Sequence, residues 1–278
     1  MAERRQAFVI GHPIAHSRSP MIHGHWLKQH GIDGSYDAID VNPTGLDAFL
    51  ERLSSGEFVG GNVTIPHKEE VWRRVARRDE AAGAIGAVNT LWMEKDELVG
   101  GNTDAYGFAA NLDAGAPRWR GAGSALVLGA GGAARAALHA LRSARIGKIT
   151  VANRTAERAG ELALAFPGVK PAGLAAAQSL LSRTDILVNT TSLGMKGQPP
   201  LDLDLEVLGD DAIVTDIVYA PLETPLLKRA RDRGLANVDG LGMLLHQAVP
   251  GFERWFGVRP EVSPDLRALV VADIEGKR

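Results

Sequence analysis

The 278-residue chain has no cysteine, which excludes disulfides, thiolate metal cages and cysteine nucleophiles together. That absence fits a reducing compartment. Aromatic residues are sparse at 5%, and neither sign of charge dominates, with 31 Lys and Arg against 33 Asp and Glu. A domain that grips nucleic acid usually carries a basic surplus, so nucleic acid is not an expected partner. Long apolar runs are missing as well. A membrane-spanning helix needs ~20 apolar residues, and the most tempting stretch, 121–144, is interrupted by Arg135. The opening Met1-Ala-Glu-Arg-Arg-Gln leads into a short strand-like AFVIG rather than the apolar core of a secretory signal. The expectation is a cytoplasmic protein with no membrane partner.

What is present is the composition of a globular protein, 45% apolar and 23% charged, at a length suited to two domains. In the first hundred residues strand-like and helix-like segments alternate. Ala7 to Ile10 reads as a buried strand, and Ser19-Pro20 as an N-cap followed by Pro at the start of a helix reaching about His30. Strands are expected at 36–41 and 62–65 and a helix at 43–53. A further helix, opened by Pro66, carries Lys68 and an arginine-rich run to Arg78. Segments 88–92 and 98–102 flank the polar turn Glu94-Lys95-Asp96-Glu97, the pattern of a hairpin. Hairpin and helical connections together imply a mixed sheet. Arg73, Arg74, Arg77 and Arg78 at helical spacing read as a solvated helix face.

After a turn-rich stretch at 115–123 the alternation becomes regular. Strands are expected at 126–128, 149–152, 186–188, 212–217 and 236–238, with helices between, the signature of a parallel doubly wound sheet. The residues from Leu241 onward read as helix and tail, packing back on the first domain. Between the first strand of this half and its helix lies Gly129-Ala130-Gly131-Gly132-Ala133-Ala134. In G-x-G-x-x-A the first Gly makes the tight turn, the second admits a pyrophosphate to backbone N–H groups, and the small last residue packs helix on strand. A dinucleotide site follows. NAD sites place an acid at the end of the second strand, to hold the ribose 2′-OH. Here that place is taken by Asn153-Arg154-Thr155, with Arg158 close behind, so two guanidiniums await a 2′-phosphate and NADP is favoured over NAD. The plainer explanation is a solvated helix start with Thr155 as N-cap.

A hydride enzyme acting on an alcohol and its ketone needs a proton donor beside the oxygen and polar groups that hold the substrate. The first half offers candidates. Asn62 and Thr64 are two apart on a strand and share a face, Lys68 sits in the first turn of the next helix, Asn89 lies in the hairpin, and Asp104 follows a Gly-Gly-Asn-Thr turn. Singly, each has a plainer explanation: Lys68 as a solvated helix lysine, Asp104 and Ser19 as caps. Six of eight histidines precede Lys68, but none falls in H-E-x-x-H or comparable metal-ligand spacing, so no metal is expected.

Together these residues resemble shikimate dehydrogenase. The resemblance rests on Gly11-His-Pro-Ile14-Ala-His16-Ser17-Arg-Ser19-Pro20, Asn62-Val-Thr64-Ile-Pro66-His-Lys68, Gly86-Ala-Val-Asn89-Thr90 and Gly101-Asn-Thr-Asp104. It extends through the glycine turn, Asn189-Thr-Thr-Ser-Leu-Gly-Met195, Asp216-Ile-Val-Tyr219 and Gly240-Leu-Gly242-Met-Leu-Leu-His-Gln247, in the right order along nearly the whole chain. One departure is His23-Gly24, where the family usually has His-Asn.

The resemblance implies an α/β protein of two domains. An N-terminal mixed-sheet substrate domain (1–104) would be completed by C-terminal helices (240–278), beside a Rossmann-like doubly wound NADP domain (105–239). It implies NADP-dependent interconversion of 3-dehydroshikimate and shikimate, a step of aromatic amino acid biosynthesis. Ser17, Ser19 and Tyr219 would hold the substrate carboxylate, and Asn62, Thr64, Asn89, Asp104 and Gln247 its ring hydroxyls. Lys68 and Asp104 would form the catalytic pair. Residues 129–134 would take the pyrophosphate and Asn153, Arg154, Thr155 and Arg158 the 2′-phosphate, with Thr190, Ile217 and Gly240 further coenzyme contacts. A broader quinate/shikimate dehydrogenase using NAD or NADP, and a catalytically inert NADP-binding sensor, are the alternatives. The family occurs as monomers and as dimers.

Overall fold

The computed structural model describes residues 5–276. The chain divides into two compact units, one formed by the residues up to Thr103 together with those from Gln247 onward, the other by Asp104–His246. Asp104 and residues 240–246 thus lie in the second unit, beyond the boundaries expected at 104 and 240.

The first unit holds strands β1 (Arg5–Gly11), β2 (Gly34–Asp40), β3 (Gly60–Val63), β4 (Arg77–Arg78), β5 (Thr90–Glu94) and β6 (Glu97–Gly101). They form one sheet in the order β2-β1-β3-β5-β6-β4. It is mixed, because β5 runs antiparallel to both β3 and β6 while the other pairs are parallel. Lys95 and Asp96 both adopt positive φ at the β5–β6 turn, the backbone a two-residue hairpin of this twist demands. Helices α1 (Ser19–Gln29), α2 (Leu46–Ser54), α3 (Lys68–Arg74) and α4 (Glu80–Ile85) connect the strands. One core centres on Phe8, Phe49 and Phe58, whose ring centroids lie 4.7–5.6 Å apart. Burial of each such ring contributes about 1.5–3 kcal/mol.

Two local expectations are corrected here. The helix begun near Pro66 ends at Arg74 and the backbone turns extended at Val75, so Arg77 and Arg78 pair as a short strand with Val99 and Gly100. The arginine run is therefore not one helical face, and its charges are matched: Arg73 by Glu70, Arg74 by Asp47 and Arg77 by Glu94, while Arg78 lies 4.4 Å over the Trp72 ring. Ser19 is not a helix cap either. The N-cap of α1 is Arg18, and Ser19 is the first helical residue, its N–H donating to Ser17 Oγ at 3.3 Å. Pro20, having no N–H to satisfy, takes the next place.

The second unit holds α5 (Asp104–Gly115), β7 (Ser124–Leu128), α6 (Gly132–Ser143), β8 (Lys148–Asn153), α7 (Ala156–Ala165), β9 (Val169–Gly173), α8 (Ala177–Leu180), β10 (Ile186–Asn189), β11 (Ile213–Asp216), α9 (Pro225–Asp232) and β12 (Ala236–Val238). Its six strands are all parallel, in the order β12-β11-β10-β7-β8-β9. Counted from the first strand, this is the doubly wound order whose direction reverses between β7 and β10, the place where such folds bind ligands. β7 and β10 are buried almost throughout, as central strands of a parallel sheet are. Thr224 caps α9 with its hydroxyl ahead of Pro225.

Two C-terminal helices follow, α10 (Leu241–Phe256) and α11 (Pro264–Ile274), the latter capped by Ser263. The part of α10 beyond Gln247 and all of α11 join the first unit. There Trp255 donates to the Leu91 carbonyl at 3.0 Å, Trp26 donates to the Glu261 carbonyl at 3.0 Å, and Arg18 pairs with Asp273 at 2.8 Å. Among the described residues no helix is long and apolar enough to cross a membrane.

Candidate active site

The glycine turn of the second unit sits at the reversal point. Gly129 leaves β7 with φ +106°, and a Cβ there would lie 2.6 Å from Thr190 Oγ1. Thr190, the first residue after β10, binds back to the end of β7, donating from N and Oγ1 to the Leu128 carbonyl at 2.8 and 2.6 Å. Gly129 is thus required by the close approach of two strand ends. Gly131 and Gly132 differ. A Cβ on either meets no protein atom within 4 Å, so packing does not explain these glycines. They stand at the N-cap and first turn of the twelve-residue α6, which has no side-chain cap. Free N–H groups facing open space are what a pyrophosphate fits. Ala134, fully buried, fills the small position where helix meets strand.

At the end of β8 a cleft of about 210 Å³ is lined by Asn153, Arg154, Thr155, Arg158, Leu174, Thr191, Ser192 and Leu193. No carboxylate is among them. Arg154 and Arg158 are exposed, Asn153 Nδ2 donates to the Thr155 carbonyl at 3.0 Å, and Thr155 is the N-cap residue of α7 but makes no side-chain capping bond. Its hydroxyl is therefore not spent on the helix, as the plain N-cap explanation had it.

Beyond β10 and β11 the chain is held by Asp216. This buried carboxylate accepts from Asn189 Nδ2 and from the Val218 N–H, both at 3.0 Å, and from the Thr224 hydroxyl at 2.8 Å. All three donors are neutral, and burial raises its pKa above the usual carboxylate range. Asn189 in turn holds Thr191 through Oδ1 and donates to the Leu193 carbonyl at 3.1 Å. Tyr219, half-buried, follows in the same turn. A Cβ on Gly240 would collide with the Ile217 backbone, so these two residues are in close contact.

In the first unit Ser17 and Ser19 follow β1, and Asn62, Thr64 and Lys68 follow one another along β3 and into α3. Thr64 lies one residue past the end of β3, its N–H bound to the Ile10 carbonyl at 2.9 Å. Asn62 and Asn89 are buried and joined, Asn62 Nδ2 donating to the Asn89 carbonyl at 2.9 Å. Asn89 exchanges bonds with Thr103, whose hydroxyl reaches Gln247 Oε1 at 3.4 Å. Lys68 opens α3, and its carbonyl accepts from the Val88 N–H at 2.9 Å, which ties the lysine's turn to the segment that carries Asn89, just ahead of β5. The histidines gather around no common point: His12 binds Asp40, His67 binds the Val41 carbonyl, and His23 is sealed among aromatic rings. Among the described residues no three His, Asp or Glu converge as a metal cage would.

Three family models match the chain: the shikimate dehydrogenase substrate-binding domain over residues 9–91, shikimate/quinate 5-dehydrogenase over 119–195, and the shikimate 5′-dehydrogenase C-terminal domain over 240–270. The shikimate dehydrogenase (NADP+) of Mesorhizobium japonicum is 60% identical over 274 residues, 98% of each chain. The chain belongs to the shikimate dehydrogenase family. Among solved structures, shikimate 5-dehydrogenase from Thermus thermophilus, in complex with NADP(H) and shikimate, superposes with a TM-score of 0.84 at 36% identity over 97% of this chain and 99% of that one. Quinate dehydrogenase from Corynebacterium glutamicum, in complex with NAD, superposes with a TM-score of 0.89 at 31% identity over 97% and 99%.

Of the residues singled out in the sequence, the structure gathers Ser17, Ser19, Asn62, Thr64, Lys68, Asn89 and Gln247 in the first unit. Asp104, Tyr219 and the coenzyme candidates lie in the second. Within this shikimate dehydrogenase fold, several lining residues had gone unseen. Tyr36, Thr90 and Thr103 bind the site amides directly, and Leu174, Thr191, Ser192 and Leu193 line the arginine cleft. Thr90, Thr103 and Thr191 to Leu193 had a signal, since they belong to the motifs quoted above. Tyr36 and Leu174 had none.

Proposed function

We propose that this protein is an NADP-dependent oxidoreductase that interconverts 3-dehydroshikimate and shikimate. The observation that carries the reading is the 60% identity to a curated NADP-dependent shikimate dehydrogenase across 98% of both chains, which leaves neither unit without a counterpart. The glycine turn supports it: Gly131 and Gly132 leave room for a pyrophosphate at the start of α6. The acid-free cleft supports NADP in particular. Arg154 and Arg158, with Asn153 and Thr155, suit a 2′-phosphate that a carboxylate would repel. Thr190, Ile217 and Gly240 complete the coenzyme's contacts.

The coenzyme supplies the hydride, and the chain's own side chains do the rest. Ser17, Ser19 and Tyr219 hold the substrate carboxylate, while Asn62, Thr64, Asn89, Asp104 and Gln247 hold its ring hydroxyls. As the carbonyl is reduced, negative charge grows on its oxygen. The Lys68 ammonium stabilises that charge and delivers the proton, an effect typically worth ~10²–10⁴ in rate. Asp104 is the second member of the catalytic pair. The protein acts in the cytoplasm as a monomer or homodimer, without nucleic acid or membrane. The test is direct: NADPH absorbance falls on addition of 3-dehydroshikimate, and quinate with NAD serves as the control. Silence with fresh reagents removes the enzyme reading and leaves a coenzyme-binding sensor, whereas preference for quinate and NAD gives the broader enzyme.

A further inference from the structure

Asn62 spends almost its whole amide inside the protein. Its Oδ1 accepts from the Tyr36 hydroxyl at 2.5 Å, and its Nδ2 donates to the Asn89 carbonyl at 2.9 Å and to Thr90 Oγ1 at 3.3 Å. An amide offers two donors and two lone pairs, and these bonds engage both donors and one lone pair of Oδ1. The arrangement propagates. Thr90 Oγ1 already receives a hydrogen from Asn62, so it turns its own toward Asn89 Oδ1 at 2.8 Å, where the Thr103 N–H also donates at 2.9 Å. Asn89 Nδ2 is thereby directed to Thr103 Oγ1 at 3.1 Å. A single sense of donation runs from Tyr36 to Thr103, and it fixes which end of each amide points where.

Tyr36 is itself tightly held. It is 5% exposed and stacks on the His23 ring at 3.9 Å and 9°, with Trp255 at 6.0 Å. Neither nitrogen of His23 has a hydrogen-bond partner, so the imidazole serves here as an aromatic plate rather than a polar contact. The Tyr36 ring is fixed by packing, which leaves its hydroxyl as the separable polar feature.

We infer that Tyr36 and Thr90 are positioning residues for the reaction proposed above: their hydroxyls clamp the Asn62 amide from its two sides, so that its orientation and that of Asn89 are set before a hydroxylated substrate arrives. The inference rests on that functional reading. The protein used is the full chain with NADP and shikimate. Tyr36→Phe keeps the stack and removes one hydroxyl; Thr90→Val keeps the shape and removes the other. Each raises the KM for shikimate by about tenfold or more while kcat and the Kd for NADPH stay within about threefold. In an Asn62→Ala background Tyr36→Phe raises KM no further, because the group it orients is gone, whereas Thr90→Val still does so through its bond to Asn89.

If one of the two variants does not fold, the other still reads the clamp. A shikimate KM that stays at the wild-type value in a folded variant overturns the inference, even if the melting temperature falls, since a merely structural hydroxyl would give that pattern. So does a KM that Tyr36→Phe still raises without the Asn62 amide. A wild-type protein inactive on shikimate removes the functional reading and this inference with it; an active wild type with an unmoved variant KM removes the inference alone.

Discussion

Asn189 donates a 3.0 Å hydrogen bond to Asp216 across the ends of two neighbouring parallel strands, and both residues are fully buried. The carboxylate is surrounded by neutral donors, so burial outweighs its hydrogen bonds and raises its pKa. A raised folded value means that the ionised form costs stability at neutral pH, and that the cost is relieved as pH falls through the folded pKa toward the unfolded value. Urea unfolding of wild type and Asp216→Asn from pH 7 down toward the ordinary carboxylate value near 4 should show the difference shifting toward the wild type as pH falls. A constant difference contradicts this account. Asp216→Ala, which strands three buried donors, should cost on the order of 3 kcal/mol or more.

Lys68→Ala should lower turnover of 3-dehydroshikimate by about two to four orders of magnitude. NADPH binding, followed by fluorescence titration, should stay close to wild type, because the expected coenzyme residues all lie in the other unit. Equal loss of both would remove the assigned role.

Arg154→Ala should weaken NADPH about tenfold or more and leave NADH nearly unchanged, since only the former carries the phosphate this guanidinium would pair with. Competitive binding of the two coenzymes checks it. An unchanged ratio would place the phosphate elsewhere.

His23 should make the fold sensitive to acid. Burial among aromatic rings lowers its pKa to about 3, with Asn62 acting in the other direction. The folded protein keeps the ring neutral while the unfolded chain protonates it near pH 6.5, so stability falls as pH drops from that value toward 3, by about 1.4 kcal/mol for each unit. His23→Phe keeps an aromatic plate and should flatten this slope, read from urea midpoints between pH 7 and 4.5. Parallel slopes would mean that the imidazole takes up its proton without penalty.

The elements most legible in the sequence are those whose signals are local. The apolar run ending in the glycine turn gave β7 and α6, and the span 156–165 of α7 follows from Thr155 before an amphipathic stretch. Arg77 and Arg78 were misplaced because nothing in two arginines announces a strand; their pairing with Val99 and Gly100 is tertiary. β9 was missed because Pro171 argues against a strand, and an edge position tolerates it. In the site, Asn62, Lys68 and Asn89 stood out through their motifs. Tyr36 did not, since a tyrosine in a strand is what β propensity alone supplies; Thr90 fell inside a quoted motif, but only the fold shows what either hydroxyl touches.

The first unit is assembled from both ends of the chain, with the second unit inserted between them. During synthesis the parallel sheet can close on itself as soon as its last strand is made, whereas the amino-terminal half must wait for Trp255 and the helix beyond it before its cover is complete. Until then the Leu91 carbonyl and the Trp26 indole wait for the partners that the end of the chain brings them.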